Sequence, residues 1–455
     1  MKTLQSTRVR IFASALTLLL TAPLLAKSTL AETLSVATHE IATSTSIAIR
    51  PSVETPVIVN VAPNAACVLH PQGVADADHL MHLFANSEGE LRFHVNARQE
   101  SAQSAQMQID CTSADGKSTT FPLELSASAS APKLSSKSRV ATLPQGATLQ
   151  PGLSEDEARS LSDRELAQRH YPPRPDSATS SSAYSTWLGI VSQPAVLVRA
   201  GVVTRADISH DHGQVTAGSG SFANWSGYEL SAAKGTYDAI QGEWYVPSVA
   251  NVTAAGLGLQ TYSAYWIGLD GIGTSDLVQA GTEQQYFEFP PFSFSNYYAF
   301  SELLPNQPTE SVITGITVSP SNHIFTSVWI GDVYGDQEVN GGYGWFFMLN
   351  ETTGQMAEFE TPLGSTSFTG SEANWIMERP WVNGAISILA DYDEAIMFSA
   401  EAGTTAGPWV PYLASNTTNW TMVNDYVTYD DNNTLSTVQE EGSNTEMLFV
   451  WHNYH

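Results

Sequence analysis

Short apolar runs alternate with polar residues from about residue 221 to the C-terminus, without a long helical period. Gly, Asn, Asp and Ser separate these runs at fairly regular spacing, which is typical of short antiparallel strands. The clearest runs are Tyr262–Leu269, Ile313–Val318, Ile324–Ile330, Trp345–Leu349 and Ala385–Leu389. The pattern predicts an all-β domain over residues 216–455, an antiparallel two-sheet β-sandwich of the jelly-roll or concanavalin-like type.

A second β-rich region precedes this domain. Residues 32–130 contain short β-branched or alternating runs, at 56–61, 91–95 and 121–125. We therefore expect a small β-rich N-terminal module over residues 32–130. Both cysteines lie in it, and in an exported chain Cys67 and Cys111 would form one disulfide, with two buried free thiols as the alternative.

Residues 131–215 separate the two β regions and are predicted to be a basic linker with short helices. Two Ser-x-x-Glu sequences, beginning at Ser154 and Ser162, have the spacing of helix capping boxes. The Ser-rich stretch 175–183 is expected to be a further linker.

The first 31 residues have the pattern of a secretory signal peptide. Basic residues come first, and a mostly apolar run follows from Ile11 to Ala26. That run is too short to favour a permanent membrane helix. We expect a secreted protein that keeps no membrane anchor once residues 1–31 are removed.

The charge is distributed very unevenly. The chain has 19 Lys and Arg against 46 Asp and Glu, a formal charge of −27 at pH 7. Within residues 216–455, the basic residues are Lys234 and Arg379 alone. Such a segment cannot neutralise a phosphate backbone or an anionic membrane, so nucleic-acid binding is excluded. Because carboxylates lose their charge near pH 4, the composition favours an acid-adapted protein over a merely acidic, soluble surface.

The same domain offers few catalytic groups. Its histidines are His323, His452 and His455, and neither His-Glu-x-x-His nor Gly-x-Ser-x-Gly is present. Asp-Thr-Gly and Asp-Ser-Gly are also missing, which weakens a paired-aspartate peptidase. Carboxylates, amides, hydroxyls and aromatic side chains remain, and they support general acid–base hydrolysis at low pH. We expect neither a metal nor another cofactor.

Four motifs in a fixed order carry a family resemblance. They are Asn224-Trp225-Ser226-Gly227, the run from Tyr265 to Gly281, the run from Tyr297 to Pro305, and Glu372-Ala373-Asn374-Trp375-Ile376-Met377-Glu378. In this order and spacing the chain resembles the glutamic peptidases, also called eqolisins, over roughly residues 221–400. It lacks the disulfides that familiar fungal members carry in this domain, which indicates a bacterial-type branch with an N-terminal prosegment.

The resemblance implies an endopeptidase with a sandwich fold and a Gln–Glu catalytic pair. The pair falls on Gln279 and Glu378. The family's supporting or substrate-binding positions fall on Trp225, Trp266, Asp270 and Glu302. The family's aromatic residues around its middle Glu are replaced here by Phe300, Leu303 and Leu304, so its cleavage preference does not carry over.

Elementary chemistry suits these two residues. Glu378 would accept a proton from a water molecule and pass one to the leaving amine. The amide of Gln279 would donate to the developing oxyanion, and it does not titrate in acid. Plainer roles remain open for both: Gln279 as a half-exposed strand residue, and Glu378 as one half of a surface ion pair with Arg379.

A basic prosegment is expected to inhibit the acidic domain. Residues 131–215 carry nine Lys and Arg, so we expect this tract to dock over the cleft at neutral pH and to leave it in acid. Self-cleavage would then follow near residues 200–220. The partners expected are polypeptide substrates and the chain's own prosegment, and a monomer is expected.

Two other functions remain possible from the sequence. The domain could be a secreted glycan-active sandwich, either a glycoside hydrolase using Glu302 and Glu378 or a lectin. It could also be a non-catalytic adhesion module.

Overall fold

A computed structural model describes most of the chain in ten stretches. These are residues 39–41, 45–49, 51, 54–72, 80–97, 104–128, 146–211, 221–250, 260–424 and 433–454. The predicted signal peptide, most of the Ser-rich start of the linker and residues 212–220 lie outside them. No helix in the described stretches is both long and apolar enough to cross a membrane.

The N-terminal module is built from strands, as predicted. They are β1 His39–Ile41, β2 Thr45–Ile49, β3 Thr55–Asn60, β4 Ala66–Pro71, β5 Met81–Phe84, β6 Glu90–Ala97, β7 Ser104–Thr112 and β8 Ser118–Ala127. One sheet has the order β2-β8-β7-β4-β5. Cys67 and Cys111 lie opposite each other on β4 and β7 and form a disulfide, so the pairing is confirmed.

The linker region contains more regular structure than its sequence predicts. Its elements are β9 Thr148–Gln150, α1 Glu155–Ser160, α2 Asp163–Ala167, α3 Ser181–Ser192, β10 Ala195–Leu197, β11 Val202–Thr204 and β12 Ile208–Ser209. Both capping boxes form, with Ser154 and Ser162 as the N-caps of α1 and α2. Helix α3 begins inside the stretch expected to be a linker, which is a correction.

The C-terminal domain contains the remaining strands of the described residues. They are β13 Trp225–Ser231, β14 Tyr237–Tyr245, β15 Gln260–Asp270, β16 Leu277–Phe289, β17 Phe292–Leu304, β18 Ser311–Thr317, β19 His323–Gly331, β20 Tyr343–Asn350, β21 Gln355–Pro362, β22 Glu372–Glu378, β23 Trp381–Val382, β24 Ala385–Ile386, β25 Glu394–Thr404, β26 Trp409–Pro411, β27 Thr417–Trp420, β28 Met422–Val423, β29 Thr434–Glu441 and β30 Ser443–Trp451. The predicted strands are confirmed, although the run Ala385–Leu389 is a strand only over its first two residues.

Two large sheets face each other in this domain. The front sheet runs β27-β13-β22-β15-β16-β17, with β18 beside β17, and the back sheet runs β28-β29-β30-β25-β14-β19-β20-β21-β10-β9. Alternate side chains of each sheet enter a shared core, for example Tyr265 and Ile267 from the front and Trp244 and Val328 from the back. The structure thus confirms the antiparallel β-sandwich.

The N-terminal module is continuous with the front sheet. Strand β6 pairs with the start of β17, with Ala97 opposite Phe292 and His94 opposite Ser295. Strands β3 and β1 extend the same sheet beyond β6. Phe292 and Phe294 also join the core of the module. Strands from both sides of the boundary predicted at residue 130 therefore belong to one continuous sheet.

The helices lie on the outer face of the back sheet. Trp187 and Ile190 of α3 belong to one buried cluster with Trp329 and Phe347 of the back sheet. The segment after α3 pairs with β21 through β10, and it reaches the front sheet where β11 pairs with β18. Strand β12 then pairs with β23 in a separate three-stranded sheet, β12-β23-β24. The linker thus contacts the back sheet first and the front sheet second.

Candidate active site

The predicted catalytic pair lies on the outer face of the front sheet. Glu378 is opposite Ala264 of β15, and Gln279 is opposite Gly268 of the same strand. Positions four apart on a strand point to one side, so the two side chains share a face. Their chain neighbours, such as Val278 and Met377, enter the core instead.

A glycine allows close packing beside the pair. A Cβ atom added at Gly268 would lie 3.0 Å from the Cβ of Gln279 and 3.0 Å from the indole of Trp266. Both neighbours are fully buried and packed, so a side chain at this position would press on them. The close approach of Gln279 and Trp266 therefore depends on the absence of a side chain at position 268.

The carboxyl group of Glu378 is fully buried and accepts a hydrogen bond from a buried side chain. Its Oε2 accepts the indole N–H of Trp266 at 2.8 Å and lies 3.2 Å from Nδ1 of His210. Its Oε1 has no hydrogen-bond partner among the described residues. The neighbouring Arg379 donates to the carbonyl of Ala223 and to Asn424. The surface ion pair offered as the plainer role of Glu378 is therefore wrong, because both residues are buried.

Gln279 and Glu302 face each other across β16 and β17. The amide Nε2 of Gln279 donates to the carbonyl of His210 at 2.9 Å and lies 3.4 Å from Glu302 Oε2. The same Oε2 accepts the backbone N–H of His210 at 2.8 Å. Burial raises the pKa of Glu302 to about 8, against the opposing charge of His210.

His210 occupies the centre of the site, and the sequence did not predict it. Its Nε2 lies 3.0 Å from Glu310, and its ring stacks on Phe300 at 4.1 Å. Burial lowers the pKa of this imidazole, but the charge of Glu378 and the hydrogen bonds with both carboxylates raise it well above its usual value. His210 belongs to the linker and not to residues 216–455, and it reaches the site because the linker folds back onto that domain.

Two further carboxyl groups were also missed. Glu310 accepts the hydroxyl of Tyr298 at 2.6 Å, and Arg205, fully buried, donates to the same hydroxyl at 2.8 Å. Glu283 is fully buried, and its carboxyl oxygens have no hydrogen-bond partner among the described residues. Burial, and then the charge of Glu310, raise its pKa well above the usual value. Glu283 follows Gln279 by four positions on β16, so strand alternation alone places it on the same face.

His210, Glu283 and Glu310 have ligand atoms within 4.8 Å of one another, which is a spacing that a metal ion accepts. Glu243, His323 and Glu351, which are half-buried on the back-sheet side, have the same spacing. In both groups the imidazole already contacts two carboxylates. The expectation that no metal is needed stays a prediction.

The predicted supporting residues have different roles. Trp225 is fully buried and packs edge-to-face on Trp266 with ring centroids 4.9 Å apart, beside the site. Asp270 accepts N–H groups of Gly370, Ser371 and Glu372, so it fixes the entry into β22. Burial, and then the charge of Asp276, raise its pKa to about 7.

One residue, His210, contacts both an amide donor and a buried carboxylate. The carbonyl of His210 is held by Gln279, and its side chain reaches Glu378. An amide N–H at a carbonyl oxygen and a buried carboxylate nearby are the groups that water-dependent hydrolysis of that carbonyl needs.

Comparison with known proteins agrees with this chemistry. Residues 223–447 match the model of the Peptidase A4 family. None of the curated proteins matches the chain significantly.

Solved structures of peptidases are also similar to this chain. Scytalido-glutamic peptidase with a peptide-based transition-state analogue has 18% identity and a TM-score of 0.39. The same peptidase with a transition-state analogue inhibitor has 19% identity and a TM-score of 0.40. SCP-B, a member of the eqolisin family, in complex with the tripeptide Ala-Ile-His has 16% identity and a TM-score of 0.36. Each covers 50% of this chain and 98% of its own chain.

Proposed function

Residues 223–447 belong to the Peptidase A4 family, the glutamic peptidases, and from that premise we propose that this chain is a secreted, acid-active endopeptidase made as a self-processing zymogen. Its substrates are polypeptides. Glu378 is the general base and acid, and Gln279 stabilises the tetrahedral oxyanion. The export of the chain rests on the signal-peptide pattern of residues 1–31.

The catalytic step follows from the two side chains. Glu378 takes a proton from a water molecule, whose oxygen attacks the carbonyl carbon of the substrate. The carbonyl oxygen becomes negative, and the Gln279 amide donates to it. Glu378 then returns the proton to the leaving nitrogen as the C–N bond breaks. No other proton donor is required.

The contacts of His210 with Gln279 and with Glu378 carry this proposal. A peptide carbonyl already accepts from Gln279 at 2.9 Å, while Oε2 of Glu378 is within 3.2 Å of the same residue. This contact and the family favour the peptidase over the glycan-active alternative, because a two-carboxylate glycosidase does not use an amide at position 279.

The same contact supports inhibition by the prosegment. Residues 202–211 contact the front sheet and the short β12–β23–β24 sheet, and the imidazole of His210 lies 3.2 Å from Oε2 of Glu378, so this segment occupies the site that another substrate would enter. Arg205 anchors the segment through Tyr298 and lies 3.9 Å from Glu310. The helices α1–α3, expected over the cleft with the rest of the basic tract, are on the back sheet and do not block it.

Release in acid depends on only some of these groups. The pKa of Glu302 is raised to about 8, so this carboxyl is already neutral at pH 7. The pKa of His210 is raised, so its contribution to docking is complete below its ordinary value and is lost only as pH rises. Neither of these two groups therefore changes its charge between pH 7 and pH 4, so release of the segment in acid has to come from other carboxyl groups that face its basic residues.

A Glu378→Gln variant tests the proposed chemistry. Trace wild-type enzyme processes the variant at pH 4, and hydrolysis of a denatured protein is then measured at pH 4 and pH 7. We expect the rate at pH 4 to fall by about 10²–10⁴-fold, because the general base is lost. The unprocessed wild-type chain should release few peptides at pH 7.

Glu401→Gln is the matched control. Glu401 is a buried carboxyl of the back sheet, and burial raises its pKa to about 7, so a neutral amide resembles its own acid form. It should retain activity. Comparable rates for Glu378→Gln and the wild type would contradict the proposal.

A further inference from the structure

The backbone of His210 is held as a substrate residue would be. Its carbonyl accepts from Gln279 at 2.9 Å, and its N–H donates to Glu302 at 2.8 Å. The bond that follows this carbonyl is the peptide bond between His210 and Asp211. On the proposed mechanism, the carbonyl held by Gln279 belongs to the bond that is cut.

The residues before His210 are presented as an extended strand. Ile208 and Ser209 pair antiparallel with Val382 and Trp381 of β23, immediately after the strand that carries Glu378. Extended peptides that add a strand to a sheet are a common mode of substrate recognition. This pairing brings the following carbonyl to the catalytic pair.

The imidazole of His210 fills a fully buried pocket that matches its chemistry. One ring nitrogen lies 3.2 Å from Glu378 and the other lies 3.0 Å from Glu310. Phe300 stacks on the ring, and Glu283 lies nearby, with ligand atoms of Glu283, Glu310 and His210 within 4.8 Å. A protonated imidazole donates to two buried carboxylates at once, whereas an aliphatic side chain would remove one donor from each of them.

We propose that this pocket, formed by Phe300, Glu310 and Glu283, selects a histidine on the N-terminal side of the scissile bond, and that the first bond cut in this chain is His210–Asp211. The proposal rests on the proposed peptidase function. It assigns both a processing site and a substrate class: polypeptides with an imidazole at the cleaved position.

The reaction balances without further groups. One water molecule adds its oxygen to the carbonyl carbon of His210, and Oε1 of Glu378, which has no partner among the described residues, accepts its proton. The C–N bond to Asp211 breaks, and Glu378 gives the proton to the new amine. The products are a carboxylate on His210 and an N-terminus at Asp211.

Mass spectrometry of the full-length chain during incubation at pH 4 tests the processing site. The earliest new N-terminus should be Asp211, with a complementary fragment that ends at His210. The His170→Leu variant, which removes a histidine paired with Glu358 on the back sheet, is the control and should give the same first cut. A first cut at another bond, with His210–Asp211 intact, would overturn the assignment.

Peptide kinetics tests the pocket. Two synthetic peptides with the sequence of residues 204–215, one with His and one with Leu at position 210, are compared as substrates of the processed enzyme. For the wild type, kcat/KM of the His peptide should exceed kcat/KM of the Leu peptide by about tenfold or more. Glu310→Gln should reduce this His-to-Leu ratio toward one. Equal ratios in wild type and Glu310→Gln would refute the role of Glu310.

The two failures can be told apart. Suppose that the processed chain hydrolyses a denatured protein, has no preference for histidine, and makes its first cut at another bond. Then only the pocket assignment is wrong. If it hydrolyses neither the protein nor the peptides, the proposed peptidase function is wrong.

Discussion

At the scale of single residues, Trp266 is the side chain that fixes Glu378. Its indole N–H donates to Oε2 at 2.8 Å, and Trp225 packs edge-to-face against the ring. A hydrogen bond from a neutral donor to a buried carboxylate stabilises the charged form and holds its orientation. Trp266 is thus a positioning residue for the proposed general base.

Trp266→Phe should lower kcat by about tenfold or more while KM changes little, because it removes one hydrogen bond to a charged group. Steady-state kinetics on peptides at several pH values measures the change, and the acid limb of the profile should shift upward in pH. Trp420→Phe, which removes an indole bond to Glu229, is the control and should keep kcat. An unchanged profile for Trp266→Phe would show that the indole only packs.

Much of the site was accessible from the sequence. Motif spacing placed Gln279, Glu302 and Glu378 together, and the registers of β15, β16, β17 and β22 bring them to one face. His210 was not accessible, because its position depends on a linker that returns to the sheet. Glu310 was not accessible, because it lies outside the four motifs. The supporting role of Asp270 needed the hydrogen bonds that it makes after β15.

At the scale of elements, sequence patterns predicted those helices and strands that short-range interactions determine. The capping boxes begin α1 and α2, and apolar alternation gives the strands of both sheets. The pairing of β6 with β17 and the packing of α3 were not predictable, because tertiary contacts between distant parts of the chain determine them. Helix α3 also has no side-chain cap at Ser180 to mark its start.

The N-terminal fragment should remain bound after processing. Its α3 helix covers Trp329, Phe347 and other apolar residues of the back sheet, and β6 extends the front sheet. Exposing each large buried side chain costs about 1.5–3 kcal/mol, so dissociation is strongly opposed. Opening the cleft requires only residues 202–210 to move.

Size-exclusion chromatography of the processed protein at pH 4 measures this association. Both fragments should co-elute, and they should separate only in denaturant. Trp187→Ala, which removes a fully buried indole of α3, should weaken the complex. Separate elution of the wild-type fragments under native conditions would show that the interface does not hold them.

At the scale of the whole molecule, the buried acids favour folding in acid. Burial raises the pKa of Asp238 to about 6, of Glu401 to about 7 and of Glu372 to about 8. Between its ordinary pKa and its raised pKa in the folded chain, such a carboxyl group is neutral in the folded chain and ionised in the unfolded chain. Its contribution is therefore complete below its ordinary pKa and declines as pH rises through the folded value.

The free energy of unfolding should thus be highest near pH 4 to 5 and fall steadily toward pH 8. Self-repulsion of a chain with formal charge −27 acts in the same direction. Denaturant unfolding across this pH range measures the trend, and Glu372→Gln should flatten it. A free energy of unfolding that rises toward neutral pH would contradict the assignment of these carboxyls as neutral.

The most direct measurement of the central claim is the activity of Gln279→Ala at pH 4, after processing by trace wild-type enzyme. The control is Gln241→Ala, which removes a buried amide that donates to Glu401 in the back sheet. If Gln279 stabilises the oxyanion, kcat/KM falls by about 10²–10³-fold while the fold is kept, and the control stays near wild type. Activity of Gln279→Ala equal to that of the wild type would contradict the account.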